Sequence, residues 1–193
     1  MKAIKWEDFY AITKDHPAWP LLVKAISYVA HKGCALDLGS GAGRDTKYLL
    51  AQGFHVTAID SSPHAIAILA QLPQQNLRLV QSSFQDFVYE TYDLVNAQFA
   101  LLFNAKDTFH EVFARMKSAI NPDGVFVGQL FGIHDEWNTP DNTMTFLTKE
   151  QVEALFTGMY ILEFKEVDED GHVADGTSKH WHVFHIIAQK RSE

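Results

Sequence analysis

Strand and helix signals alternate over most of this 193-residue chain, and that alternation restricts the fold more than any other feature. Apolar "ALDL" (Ala35 to Leu38) runs into Gly39, and a helical stretch from about Arg44 to Gln52 then stops at Gly53, a residue that tolerates the left-handed position after a helix. "FHVTAID" (Phe54 to Asp60) is rich in β-branched residues and reads as the next strand, followed by Ser62 as N-cap and Pro63 in the first helical turn. "NLRLVQSS" and "YDLVNAQFA" are further strands. Phe109, Val112, Phe113 and Met116 then mark one face of a helix. "NPDG" signals a turn into the strand "VFVGQLFG", and Thr148 with Gln151 makes a capping-box pattern. Two extended stretches, Tyr160 to Val167 and about His180 to Lys190, close the chain around the polar loop "DEDGHVADGTSK". Such a chain predicts an α/β, doubly wound, seven-stranded and mostly parallel sheet with an antiparallel C-terminal edge hairpin. Its ligand belongs beyond the carboxyl ends of the strands, near the first of them.

Charge and cysteine usage narrow the partners. The net charge is −8, and Arg44, Arg78, Arg115 and Arg191 are scattered, so the chain has no basic patch to hold nucleic acid or an anionic membrane surface. The single Cys34 cannot form an intrachain disulfide. "MKAIKWEDFYAITKDHP" offers no signal-peptide core, and the longest apolar run, Ala65 to Ala70, is far too short to span a bilayer. The expectation is a soluble, cytoplasmic protein with no nucleic-acid or membrane partner. The oligomeric state is not legible.

The stretch "ALDLGSGAGRDTKYLL" points to a nucleotide-like ligand. Gly39, Gly41 and Gly43 let the backbone turn sharply and approach a ligand closely. A dinucleotide fingerprint needs a third small residue at the helix start, but Arg44 or Thr46 stands there, depending on register. Asp37 would repel a pyrophosphate and attract an ammonium or sulfonium; its alternative role is to cap loop amides. Asp60, at the end of the second strand, can accept both hydroxyls of a ribose, or else cap a turn. Together these residues favour a cationic, adenosine-like ligand.

At these residues the sequence resembles the class I S-adenosylmethionine-dependent methyltransferases. "LDLGSGAGR" (Leu36 to Arg44) looks like their first motif, Asp60 like the acid ending their second strand, and "YDLVNAQFALLF" and "NPDGVFVGQLFG" like their fourth- and fifth-strand regions. "HDEW" (His134 to Trp137) and "KHWHVFHIIAQK" are similar to the small-molecule branch related to tellurite-resistance and thiopurine-type enzymes. The resemblance implies a Rossmann-like fold, with residues 1–193 as one methyltransferase domain and 1–32 as a helical lid segment within it. It also implies S-adenosyl-L-methionine as cofactor. Gly39, Ser40, Gly41 and Gly43 would surround the methionine part and ribose, Asp60 would hold the ribose, Ser61 would lie beside the adenine, and Asp37 near the amino end. Backbone groups around Asn96 to Gln98, past the fourth strand, would face the methionyl end. Where related enzymes carry an acid for the adenine amino group, this chain has Ser83 and Phe84; Ser83 could bond the adenine edge, Phe84 pack on the ring, and Asp86 substitute.

A sulfonium methyl donor is already activated, so alignment of the nucleophile and exclusion of water are the protein's main tasks. No compact general-base constellation is legible, which favours a soft, easily ionised nucleophile such as a thiol or chalcogen oxyanion. Catalytic residues are not assigned. Trp6, Phe9 and Tyr10 could form a lid, and Tyr10, Phe103, Asn104, His134 and Trp137, with Asp135, are candidates for a substrate pocket, each with a packing alternative. His180 and His182 share a strand face while His185 points to the other, so the three cannot converge on a metal, and none is expected. A second reading, a non-catalytic S-adenosylmethionine-binding regulatory or assembly protein, would keep the same donor site. A nicotinamide dehydrogenase would instead bind a dinucleotide.

Overall fold

A computed structural model describes residues 6–192. The helices are α1 (Trp6–Thr13), α2 (Pro20–Ala25), α3 (Arg44–Ala51), α4 (Pro63–Leu69), α5 (Phe109–Ser118) and α6 (Lys149–Leu155). The strands are β1 (Cys34–Leu38), β2 (His55–Asp60), β3 (Leu77–Gln81), β4 (Tyr92–Ala97), β5 (Ile120–Gly132), β6 (Phe146–Leu147), β7 (Met159–His172) and β8 (Ser178–Lys190). Their order across the sheet is β3-β2-β1-β4-β5-β8-β7, parallel from β3 to β5 and antiparallel through β8 and β7. This is the expected seven-strand path, to which the two-residue β6 adds a short parallel partner on β5.

Period-two alternation divides each strand between two cores. Leu36 and Leu38 of β1, Val95 of β4 and Phe126 of β5 pack with Phe109, Val112, Phe113 and Met116 of α5. Ala35, Leu94 and Val125 face the other way, onto Leu22 of α2, Leu49 of α3 and Leu69 of α4. Both faces are therefore covered, as a parallel sheet requires. The caps fall as expected: Ser62 Oγ accepts from Ala65 N–H, and Thr148 and Gln151 complete a capping box.

Two boundaries differ from the sequence expectation. "NPDG" does not precede β5 but lies within it: Ile120 pairs with Tyr92 and Val125 with Leu94, so Asn121 to Gly124 bulge opposite Asp93, whose carboxylate accepts from Asn121 Nδ2 at 2.8 Å. The long loop expected before the last strand contracts to Val173–Thr177, because Asp168, Asp170 and Gly171 continue the ladder opposite His182, His180 and Lys179. Polar residues there alternate with partners across the strand, and ladder pairing outweighs their loop-like composition. Among the described residues no helix is long and apolar enough to cross a membrane.

Candidate active site

A cleft of about 1340 Å³ opens at the carboxyl ends of β1, β2 and β4, roofed by α1 and bordered by the tip of the β7–β8 hairpin. The glycine loop forms its floor at one end. Gly39 N–H and Ser40 N–H both donate to the Ile59 carbonyl, at 2.9 and 3.0 Å, which pins the loop to β2. Gly39 has φ +73°, and a Cβ there would lie 2.7 Å from Ala100 Cβ, so no side chain fits. Gly43 plays a different part from the one implied by the resemblance. It does not line the cleft; it starts α3 at φ +79°, where a Cβ would strike Leu69 at 2.4 Å, so it is needed for packing against α4.

Three carboxylates gather at this end. Asp60 Oδ2 accepts from Gly41 N–H and Oδ1 from Ser62 N–H, both at 2.9 Å. The turn-capping role leaves room for a ligand, because a carboxylate offers about four lone-pair sites and two remain. Asp37 accepts from Thr46 Oγ1 and, at 2.8 Å, from Asn96 Nδ2. Asp45 accepts from Trp19 N–H at 3.0 Å and from the same Asn96 Nδ2 at 3.2 Å. Asp45 was not among the sequence candidates; its position in the first turn of α3, beside the glycine loop, was the available signal. Arg44 offsets Asp45 only in part: its charge draws that carboxyl down while burial outweighs it, and its guanidinium bonds the Pro17 carbonyl and lies 4.5 Å over the Trp19 ring.

Burial, and after it the charge of Asp45, pushes the Asp37 carboxyl up to about 7. Asp45 is raised as well, chiefly by burial. A carboxyl whose folded pKa lies above its unfolded value stabilises the fold when protonated, and that contribution is lost as pH rises through about 7. A bound cation has the opposite preference, since it favours the ionised acid. We therefore expect ligand-free stability to fall between the ordinary carboxylate range and about pH 7, while affinity for a cationic ligand rises over the same window. Thermal unfolding across that range, with and without such a ligand, measures both slopes; in Asp37→Asn both should flatten.

Ser61 and Phe84 border the cleft, and a Cβ on Gly39 would lie 3.4 Å from the Phe84 ring. Ser83 also lines it, but its hydroxyl is committed to Asp86: it donates to Oδ2 at 2.6 Å and accepts from Asp86 N–H at 3.1 Å. Asp86 is held in that turn and does not line the cleft, so it is not placed as a substitute adenine acid. Asn96 likewise stands behind the wall rather than in it, fully buried and holding Asp37 and Asp45.

The other end of the cleft is aromatic. Phe99 lies 5.0 Å from Trp19, 6.1 Å from Trp181 and 6.2 Å from Phe131, and Trp137 lies 5.8 Å from both Phe131 and Trp181. Lys179 sits among them, buried and bonded through Nζ to both oxygens of Asp135 at 2.6 and 2.5 Å. Its ammonium lies 3.7 Å from the Trp181 ring and 4.5 Å from the Trp137 ring. At the mouth, Trp6 of α1 meets Phe103 edge-on at 4.9 Å, and Tyr10 packs beside Gly41 and stacks on His64. Asn104 is buried in the wall, and its Nδ2 has no hydrogen-bond partner.

His134 is not brought to this cleft. Its chain reverses at Gly132–Asp135, and the imidazole turns onto the hairpin, 2.8 Å from Asp168 and stacked on His182 at 4.7 Å. His134, Asp168 and His182 are close enough to share an ion. As arranged, however, His182 Nδ1 accepts from His134 N–H, so its Nε2 carries the proton donated to Glu166. His180 bonds Asp168 and Asp170 on the same face, and His185 points to the opposite side, toward Phe99, as expected for alternating strand residues.

Residues 35–124, just under half of the chain, match the family model described as "Methyltransferase domain". Fold, matched segment and acid-lined glycine loop together are similar to those of S-adenosylmethionine-dependent methyltransferases. Within that class the likeness is to TehB of Haemophilus influenzae, a probable S-adenosyl-L-methionine-dependent methyltransferase. The two sequences are 27% identical over 93 residues, 46% of this chain and 32% of TehB, so the match spans about a third of that relative's length. The TehB crystal structure superposes with a TM-score of 0.76 at 20% identity, covering 88% of this chain and 61% of that one. The 1,6-didemethyltoxoflavin-N1-methyltransferase of Burkholderia thailandensis, solved with 1,6-didemethyltoxoflavin and S-adenosylhomocysteine, gives 0.70 at 22% identity over 97% and 87% of the two chains.

Proposed function

We propose that the protein transfers the methyl group of S-adenosylmethionine to a small, flat acceptor. The observation that carries this reading is the division of one cleft into an end lined by three acids and an end walled by rings. When bound, the cofactor supplies a methyl carbon activated by a positive sulfur; the acceptor's lone pair makes the new bond, and the old bonding pair stays on sulfur. The chain's own contribution is binding and orientation. Asp60 keeps two lone-pair sites for ribose hydroxyls, Asp37 and Asp45 favour a cation, and Gly39, Ser40 and Gly41 admit the ligand close to backbone. Residues 1–32 would act as a lid within a single cytoplasmic domain, with α1 closing over the acceptor through Trp6, Phe9 and Tyr10.

The acceptor end disfavours a free oxyanion. The lysine there, Lys179, is already paired with Asp135. The rings offer stacking surface to a flat acceptor. A thiol acceptor ionises without a dedicated base, in keeping with a cleft that has no evident one. Radiolabelled donor with a panel of aromatic thiols, heteroaromatic amines and selenite tests this: methylation of the flat members supports it, and methylation of selenite alone overturns the acceptor class. Donor binding with no turnover on any acceptor would favour a non-catalytic effector protein.

A further inference from the structure

A row of hydrogen-bonded amides joins the two ends of the cleft, Asn96 and Gln129 buried and Gln98 between them on the cleft wall. Strand register places Asn96 beside Asp37, and Gln129 lies on β5 one step beyond the Ala97–Gly128 pair. Gln129 is fully buried. Its Oε1 accepts from the Phe99 backbone N–H at 3.0 Å, and its Nε2 donates to Gln98 Oε1 at 2.7 Å. Gln98 Nε2 donates in turn to Asn96 Oδ1 at 2.8 Å, and Asn96 Nδ2 donates to Asp37 and Asp45.

Every donor in this series points the same way, from Phe99 toward the acids. The carboxylates dictate the direction, because only the NH₂ side of an amide can face them, and each amide then orients the next. Aligned amides polarise one another, so a change of charge at the acids alters the hold on the far end. That far end is strained: Phe99 has φ +49°, a costly conformation for a bulky side chain. Its ring stands between Trp19, Phe131 and Trp181, in the acceptor wall.

We propose that Gln129 is a positioning residue which, through this oriented amide series, ties the Phe99 ring of the acceptor wall to the acids of the donor end, so that filling the donor end fixes Phe99. The inference rests on the methyltransferase reading, since it takes the acid-lined end as the donor's. Gln129 itself does not line the cleft. A role confined to packing would leave Phe99 indifferent to what occupies the other end.

The test uses S-adenosylhomocysteine as the probe. Calorimetry first asks whether it binds; absence of binding overturns the donor-site reading and with it the proposal. Hydrogen exchange then follows the Phe99 amide. In the parent protein the probe should slow that exchange about tenfold, and binding with no change at Phe99 overturns the relay while leaving the donor site intact. In Gln129→Leu, checked for native circular dichroism, Phe99 should exchange faster and the probe-induced slowing should vanish. Retention of the slowing overturns the proposal. Gln129→Glu keeps an acceptor for Phe99 N–H but sets oxygen against Gln98 Oε1, so it should protect Phe99 without transmitting the probe's effect. If the leucine variant does not fold, the glutamate variant decides on the same criterion.

Discussion

Replacing Lys179 with methionine should destabilise the protein by about 3–5 kcal/mol, because it leaves Asp135 as an uncompensated charge in the interior. The two side chains are 2% and 0% exposed. Asp135 also accepts from Trp137 N–H at 3.0 Å and from His182 N–H at 3.2 Å, so one carboxylate joins the turn after β5 to β8. Methionine replaces much of the lysine's packing against Trp137 and Trp181, which makes the charge the main loss. Adding Asp135→Asn removes the stranded charge and should recover part of the stability, since its NH₂ opposes one of the Trp137 and His182 backbone amides. Urea unfolding of the parent, both single variants and the double variant closes the cycle. A methionine variant within about 1 kcal/mol of the parent would show that the pair contributes little, as exposed pairs do.

This pair also marks where sequence reading stopped. Periodicity made the strands, the helices and the edge hairpin legible, because alternation of period two or 3.6 reports directly which face is buried. The glycine loop, Asp37 and Asp60 were legible because their chemistry is local to one strand–turn–helix unit. Lys179 and Asp135 are 44 positions apart and meet only through the β5–β8 pairing. A lysine in "SKHWHVF" carries no local sign that it points inward. Gln129 was hidden for the same reason, since a glutamine inside an apolar strand gains meaning only when the neighbouring strand's register is known, and Gln98 was legible only through its backbone. His134 was misplaced because proximity in sequence to Trp137 says nothing of which way a turn directs its side chains. Asn96 and Gly43 were identified as important by the resemblance, but their contacts assign them to the support of the site rather than to its surface.

Asp60→Ala should weaken S-adenosylhomocysteine binding by about 100-fold or more, the largest loss of affinity expected from any single change in the cleft. Two hydrogen bonds from ribose hydroxyls to a carboxylate, at roughly 1.5–3 kcal/mol each, account for that scale. The substitution also strips the acceptor from Gly41 N–H and Ser62 N–H, so the loop between β1 and α3 loses its tie to the end of β2. Asp60→Asn separates the two effects. Its single carbonyl can still accept from one backbone amide, but its NH₂ opposes the other, and it has no charge to offer a hydroxyl. It should fall between the parent and alanine. Calorimetry gives the affinities, and the thermal shift on adding ligand gives an independent reading. Parent-like affinity in Asp60→Ala would make this residue a turn cap alone and move the ribose site elsewhere in the cleft. A loss confined to the ligand-bound state, with ligand-free unfolding nearly unchanged, would instead mean that the free lone pairs of Asp60 matter more than the loop they hold.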